Sequence, residues 1–361
     1  MQNPLTVVVL ISIVFSCQSK SAIVAQDPVS DKLTITYSGD ADVVQFKMFE
    51  GIHQILKKDS TKGLFEGVLK IRNLSESIFT YDIIVQKKVS LGQMVEVEPV
   101  GNLLKINQTK AKAEGSQYLW IGSNRSGNNL QSEELMGSLS TKIIKSEYLN
   151  EEREITIYTP RDVNSKTPHI YFTDGAVVGS YAPYIDFLIS ANKIVPIKLI
   201  GVHSSASNRY EEYVKGGKGN EIFVKHQNFF YNEVLNLIEK EMENWEGQRY
   251  LHGFSNGAAF CMHEGINNPN EFEEIVAYST ADYISPMAQS INPIIFEFDE
   301  YPKFNMAAGR YETSIFNSNL KFVEKMEENE LQVEFMEFIC GHDYNVWRIE
   351  FLAYIKKRFE K

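Results

Sequence analysis

Residues 250–265 read YLHGFSNGAAFCMHEG and hold a serine between two glycines, Gly253-Phe254-Ser255-Asn256-Gly257. A G-x-S-x-G string is weak by itself, so the residues around it decide its meaning. Residues 249–252 supply a strand, and Ala258 and Ala259 carry small-residue packing into a helix. A strand that runs into a sharp turn and then a helix strains the serine's backbone, so its neighbours must be tiny. That reading makes Ser255 a candidate nucleophile. The competing reading makes it an N-cap on an ordinary strand-to-helix turn. The helix start also offers backbone N–H groups and a positive dipole end to a developing oxyanion.

Around this stretch strands and helices alternate. REITIYTP and HIYFTDG have strand character, and VPIKLIGVH is a continuous apolar run of the kind found in a buried parallel strand. NFFYNEVLNLIEKEMENW follows with Phe230, Val234, Leu237, Ile238 and Met242 at helical spacing. After the serine come the strands FEEIVAYS, KFNMAAG and QVEFMEFI, with the helix NSNLKFVEKMEENE between the last two. YNVWRIEFLAYIKKRF closes the chain as a helix. This alternation predicts an α/β domain over residues 143–361, built on a mostly parallel sheet.

The first part of the chain has a different texture. KLTITYS, DVVQFKMF, GLFEGVLKI, FTYDIIVQ and GNLLKI alternate with period two and are broken by Gly, Asn, Asp and Ser. They predict a smaller all-β sandwich of immunoglobulin-like size over residues 28–121. GSNRSGNNLQSEELMGSLSTK then reads as a linker, residues 122–142.

Residues 7–15, VVVLISIVF, form an apolar run too short to span a bilayer and right for the core of a secretory signal. Cleavage near Ala25 gives a signal of residues 1–25. The alternative is a lipoprotein signal of residues 1–16, because FSC places Cys17 where a bacterial lipobox has its lipidated cysteine. Membrane attachment through Cys17 and a periplasmic or cell-surface location follow from the second reading, simple secretion from the first. Met1 to Thr6 lack the Lys or Arg expected at such a start. The net charge of −11 argues against a nucleic-acid partner. Cys261 and Cys340 read as two separate buried thiols.

A serine is inert without a base. Of seven histidines, His342 alone lies on a turn after the last strand, where a Ser–acid–His order along the chain puts the base. The acid belongs between Ser255 and His342. Glu312, just past KFNMAAG, fits best, where it would hold the imidazole in one tautomer. Backbone N–H groups of Asn256 and of Gly175 or Ala176, in the loop after HIYFTD, are candidate oxyanion donors. His263-Glu264 lacks the second His of a zinc helix, and no metal site or cofactor is implied.

In order, ITIYTP, IYFTDG, NRYEEY, GFSNGAAF and GHDYNVW resemble the esterase-D and enterochelin-esterase type of α/β-hydrolase over the last two thirds of the chain. The resemblance puts the family's nucleophile on Ser255, its histidine on His342 and its acid on Glu312. It also places Arg209 near the site as a substrate-binding candidate. Enterochelin esterases carry a β-sandwich ahead of the hydrolase, as the first part of this chain does. The resemblance implies an exported serine esterase that works through an acyl-enzyme. Its small-molecule or glycan ester would be a siderophore lactone, an acylated carbohydrate or a simple ester. The alternatives are a catalytically silent carbohydrate- or siderophore-binding lipoprotein, and an acyltransferase using the same triad.

Overall fold

Among the described residues seventeen strands gather into two stacked sheets and one long one, all set by how side chains alternate. The computed structural model describes residues 21–26, 31–48, 53–88, 94–97, 118–122, 124–125, 134–216, 220–241, 244–281, 298 and 300–361. The expected strand GNLLKI lies outside them. One sheet of the N-terminal domain runs β1 (Ser21–Gln26), β2 (Lys32–Ser38), β6 (Leu64–Lys70), β5 (Lys57–Asp59). The other runs β4 (His53–Ile55), β3 (Val43–Met48), β7 (Ile78–Lys88), β8 (Met94–Val97), with β9 (Tyr118–Ile121) also on β7. Alternate residues of β2, β3 and β6 are buried, among them Leu33, Ile35, Tyr37, Val44, Phe46, Phe65 and Leu69. They fill the space between the sheets, as sandwich packing requires.

The alternation fails at the start of β7, where Ile78, Phe79, Thr80 and Tyr81 are all buried. Phe79 and Tyr81 face the sandwich core. Ile78 belongs instead to the core of the second domain. The two domains meet there: Ile78 N–H donates to Ile339 O at 3.1 Å.

The second domain is built on an eight-stranded sheet. Its order is β10 (Ser138–Ser146), β11 (Glu151–Thr159), β13 (Lys198–Val202), β12 (His169–Phe172), β14 (Arg249–Phe254), β15 (Glu274–Tyr278), β16 (Lys303–Gly309), β17 (Val333–Phe338). Pairing is antiparallel from β10 to β13 and parallel from there on. β12, β13 and β15 are buried along their whole length, because helices cover both faces of the sheet. On one face lie α1 (Val178–Ser190) and, at the chain's end, α7 (Tyr344–Arg358). On the other lie α2 (Arg209–Tyr213), α3 (Glu221–Asn228) with its π-helical continuation, α4 (Asn236–Lys240), α5 (Asn256–Asn267) and α6 (Thr313–Glu328). This is the α/β-hydrolase architecture.

Two differences from expectation have physical causes. β10 begins at Ser138, inside the segment expected to be linker. It is an edge strand exposed through most of its length, so no apolar alternation marks it. Helix α1 goes unsignalled because Pro183 and Gly179 stand inside it. Tertiary contact carries it: Asp186 on its buried face accepts from Tyr158 Oη at 2.8 Å and from the backbone N–H groups of Met136 and Gly137. Cys261 and Cys340 are separate buried thiols. No helix of the described residues is long and apolar enough to cross a membrane.

Three histidines are sealed into this fold. His169 stacks on Trp245 and His252 on Phe351, while His226 lies among Tyr213, Phe229 and Phe260. Burial pushes each of them down to about 3. The unfolded chain binds their protons near the ordinary imidazole value of about 6.5, so the native state holds fewer protons below that pH. Stability is therefore full above about pH 6.5 and is lost as pH falls toward 3. Urea unfolding should show a loss of up to about 1.4 kcal/mol per pH unit for each histidine between pH 6.5 and 5. His169→Phe, which keeps the stack on Trp245, should flatten that slope by about a third. An unchanged slope would show that His169 is charged in the native state.

Candidate active site

β14 carries Gly253 and Phe254 to the C-terminal ends of the parallel strands, and the chain reverses into α5 at Ser255. The reversal holds Ser255 at φ 55°, ψ −128°, a backbone state that costs free energy in any residue with a side chain. Three segments hold it there. Ser255 N–H donates to Tyr278 O at 3.0 Å, and Ser255 C=O accepts from the N–H groups of Ala258 and Ala281, each at 3.1 Å. A Cβ on Gly253 would lie 2.6 Å from the Gly257 backbone, and one on Gly257 would run into Thr173 Oγ1. Both glycines are required because the elbow and the loop after β12 touch. The serine side chain makes no capping bond to α5. Its Oγ lies 2.9 Å from His342 Nε2.

His342 stands on the turn between β17 and α7, where Asp343 caps the helix by accepting from Asn345 N–H at 2.9 Å. The other ring nitrogen, Nδ1, is 2.5 Å from Glu312 Oε2. A carboxylate accepts only, so Nδ1 carries the proton and Nε2 is left free to take one from Ser255. Glu312 sits where β16 gives way to α6, and its second oxygen is held as firmly. Oε1 accepts from Ser279 Oγ at 2.5 Å and from Gly309 N–H at 2.6 Å. Trp347 Nε1 donates to Ser279 Oγ at 2.9 Å. The indole also meets the His342 ring edge-on, 4.6 Å between centroids. His342 and Glu312 are each 8% exposed, so their pairing is shielded from water. The arrangement suits a base that takes a hydroxyl proton while a carboxylate fixes its tautomer.

The candidate oxyanion donors flank the serine on two segments. Gly175 and Ala176 open a single 3-10 turn after β12, and Asn256 opens α5. N–H groups at such openings have no partner within their own turn or helix. Arg209 joins the two segments. Its Nε and Nη2 donate to the two oxygens of Asp174 at 2.7 and 2.8 Å, and its Nη1 donates to Asn256 Oδ1 at 3.2 Å. Asn256 Nδ2 in turn donates to Ala281 O at 2.7 Å. Arg209 thus lies beside Asn256, with its planar fork committed to a bidentate carboxylate.

The structure brings Ser255, His342 and Glu312 into one chain of contacts, with Asn256, Gly175, Ala176 and Arg209 around it. Sequence reading passed over Ser279, Trp347 and Asp174. Trp347 and Asp174 lie inside GHDYNVW and IYFTDG, so their place was marked without their contacts. Ser279 follows FEEIVAY at the end of β15 and carries no signal of its own in the sequence; in the structure its φ of 49° places it in the left-handed region. Among the described residues no group of His, Cys, Asp and Glu is arranged to hold a metal ion.

Residues 146–307 match the Esterase family. No curated protein matches the chain. Among solved structures, the enterobactin esterase from Shigella flexneri, determined in the presence of enterobactin, is similar along nearly the whole length. The match covers 95% of this chain and 96% of that one, at 12% identity and a TM-score of 0.71. A protein named BES from Bacillus cereus matches over 64% of this chain and 100% of its own, at 17% identity and a TM-score of 0.54. A ferulic acid esterase matches over 63% and 100%, at 18% identity and a TM-score of 0.50. Family match and architecture agree: the chain has the α/β-hydrolase fold behind a β-sandwich, its residues 146–307 match the Esterase family, and its fold is similar along nearly the whole length to that of the enterobactin esterase.

Proposed function

We propose that this hydrolase is an exported serine esterase working through an acyl-enzyme. Ser255 Oγ attacks the ester carbonyl, and His342 Nε2 takes its proton and then gives it to the leaving alcohol. Water attacks the acyl-enzyme in the second half, with His342 again accepting and returning the proton. Glu312 holds the imidazole and stabilises the imidazolium, and the N–H groups of Asn256 and of Gly175 or Ala176 receive the oxyanion. The observation that carries this reading is the Glu312–His342–Ser255 chain, 2.5 and 2.9 Å at its two links.

The substrate class we propose is a siderophore lactone or an acylated carbohydrate. The two-domain likeness to an esterase studied with enterobactin supports the first, and the likeness of the hydrolase part to a ferulic acid esterase leaves room for the second. Export rests on the sequence, since residues 1–20, Cys17 among them, lie outside the described residues. One feature favours cleavage ahead of Cys17: Ser21–Gln26 form β1, paired along its whole length with β2. Cleavage after Ala25 would remove that strand.

Purified protein from Cys17 onward should turn over p-nitrophenyl acetate and butyrate, and Ser255→Ala should abolish turnover. Glu312→Gln should lower kcat by about 10³- to 10⁴-fold by leaving the tautomer unset. Turnover that survives Ser255→Ala would rule the mechanism out. In a host that processes lipoproteins, Cys17→Ser should move the protein from the membrane fraction to the soluble one. A distribution identical to wild type would exclude lipidation.

A further inference from the structure

The sandwich is joined to the hydrolase at the two loops that bear Glu312 and His342. Thr80, at the start of β7, donates to Asp343 Oδ2 twice, from its backbone N–H at 2.6 Å and from its hydroxyl at 2.7 Å. Both residues are 2% exposed. Asp343 is the residue after His342, and its other oxygen caps α7. Two residues before Thr80, Ile78 N–H donates to Ile339 O on the other side of the same turn. The loop of the acid is reached as well, since Tyr311, next to Glu312, donates its hydroxyl to Arg72 O at 2.7 Å. Tyr311 also packs against the sandwich core. A single stretch of the sandwich, residues 72–80, thus grips the neighbours of both members of the pair.

The hydrolase fold does not require such a grip. The Bacillus cereus protein matches this chain over its full length while covering 64% of it, about the extent of the hydrolase domain. Here the turn carrying His342 is short, and its imidazole must stay within hydrogen-bond reach of two partners. Small misplacements of such a group lower the rate strongly. Asp343 is a buried carboxylate whose donors come from α7 and from another domain, so its position depends on both.

We propose that Thr80 is a positioning residue: through Asp343 the sandwich sets the placement of His342 between Glu312 and Ser255. The proposal rests on the triad reading above. Its test compares Thr80→Val, which removes the hydroxyl and keeps shape and backbone N–H, with Thr80→Ser, which restores the donor. Thr80→Val should lower kcat on p-nitrophenyl acetate about tenfold, the worth of one buried hydrogen bond to a charged group, with KM unchanged. Thr80→Ser should recover it. The downfield proton resonance of His342 Nδ1–H should be present in wild type and in Thr80→Ser, and broadened in Thr80→Val. Wild-type kcat and an unaltered resonance in Thr80→Val would overturn the proposal, even if its melting temperature fell, because the contact would then be a staple between domains and nothing more. The resonance reads the placement of His342 whether or not an ester is turned over. A wild type without turnover would therefore count against the esterase reading, and the resonance would still decide this one.

Discussion

Ser255 is held in a backbone state that its residue type disfavours, and the second domain is arranged so that it cannot relax. The serine's N–H is tied to the end of β15 and its carbonyl to the start of α5 and to Ala281. The close approach of Gly257 to Thr173 leaves no room for the turn to widen. The same approach brings the loop after β12 beside the start of α5, and Arg209 fixes that distance through Asp174 and Asn256. The strain is sustained because several strands and a helix must move together to release it.

A second constraint acts on the carboxylate. Glu312 is buried, and buried carboxylates need donors for both oxygens. One oxygen faces His342. The other is satisfied by Ser279 and Gly309, and Ser279 is itself oriented by Trp347. Trp347 belongs to α7, the helix that follows His342. His342 and Glu312 are therefore positioned by a loop of contacts that closes on itself, in which each member fixes the next.

Much of this was legible in the chain. The continuous apolar runs of β12, β13 and β15 reported burial on both faces, and the glycine spacing around Ser255 reported the elbow. His342 followed from chain order, and Glu312 from its place after β16. What escaped was held by tertiary contact alone. β10 is an exposed edge with polar composition, α1 keeps Pro183 and Gly179 within it, and Ser279 takes its importance from Glu312 and Trp347, 33 and 68 residues away. The docking of the domains left one faint trace, the unbroken burial of Ile78 to Tyr81, where the period-two pattern of the sandwich stops. That trace reads as an ordinary apolar strand until the partner surface is known.

The joint between Thr80 and Asp343 spans 263 positions of the chain. As the polypeptide is made, the sandwich emerges early and β7 waits with Ile78 and Thr80 uncovered. They stay so until β17 and the turn beyond it have been synthesised. Closing so long a loop is slow compared with local pairing, so this joint is among the last contacts to form. Glu312 and His342 are supplied by the same late segments. The contacts of Glu312 and His342 and this joint are therefore completed together, and a chain not yet extended past that turn presents a sandwich with an open apolar seam for chaperones and proteases to find.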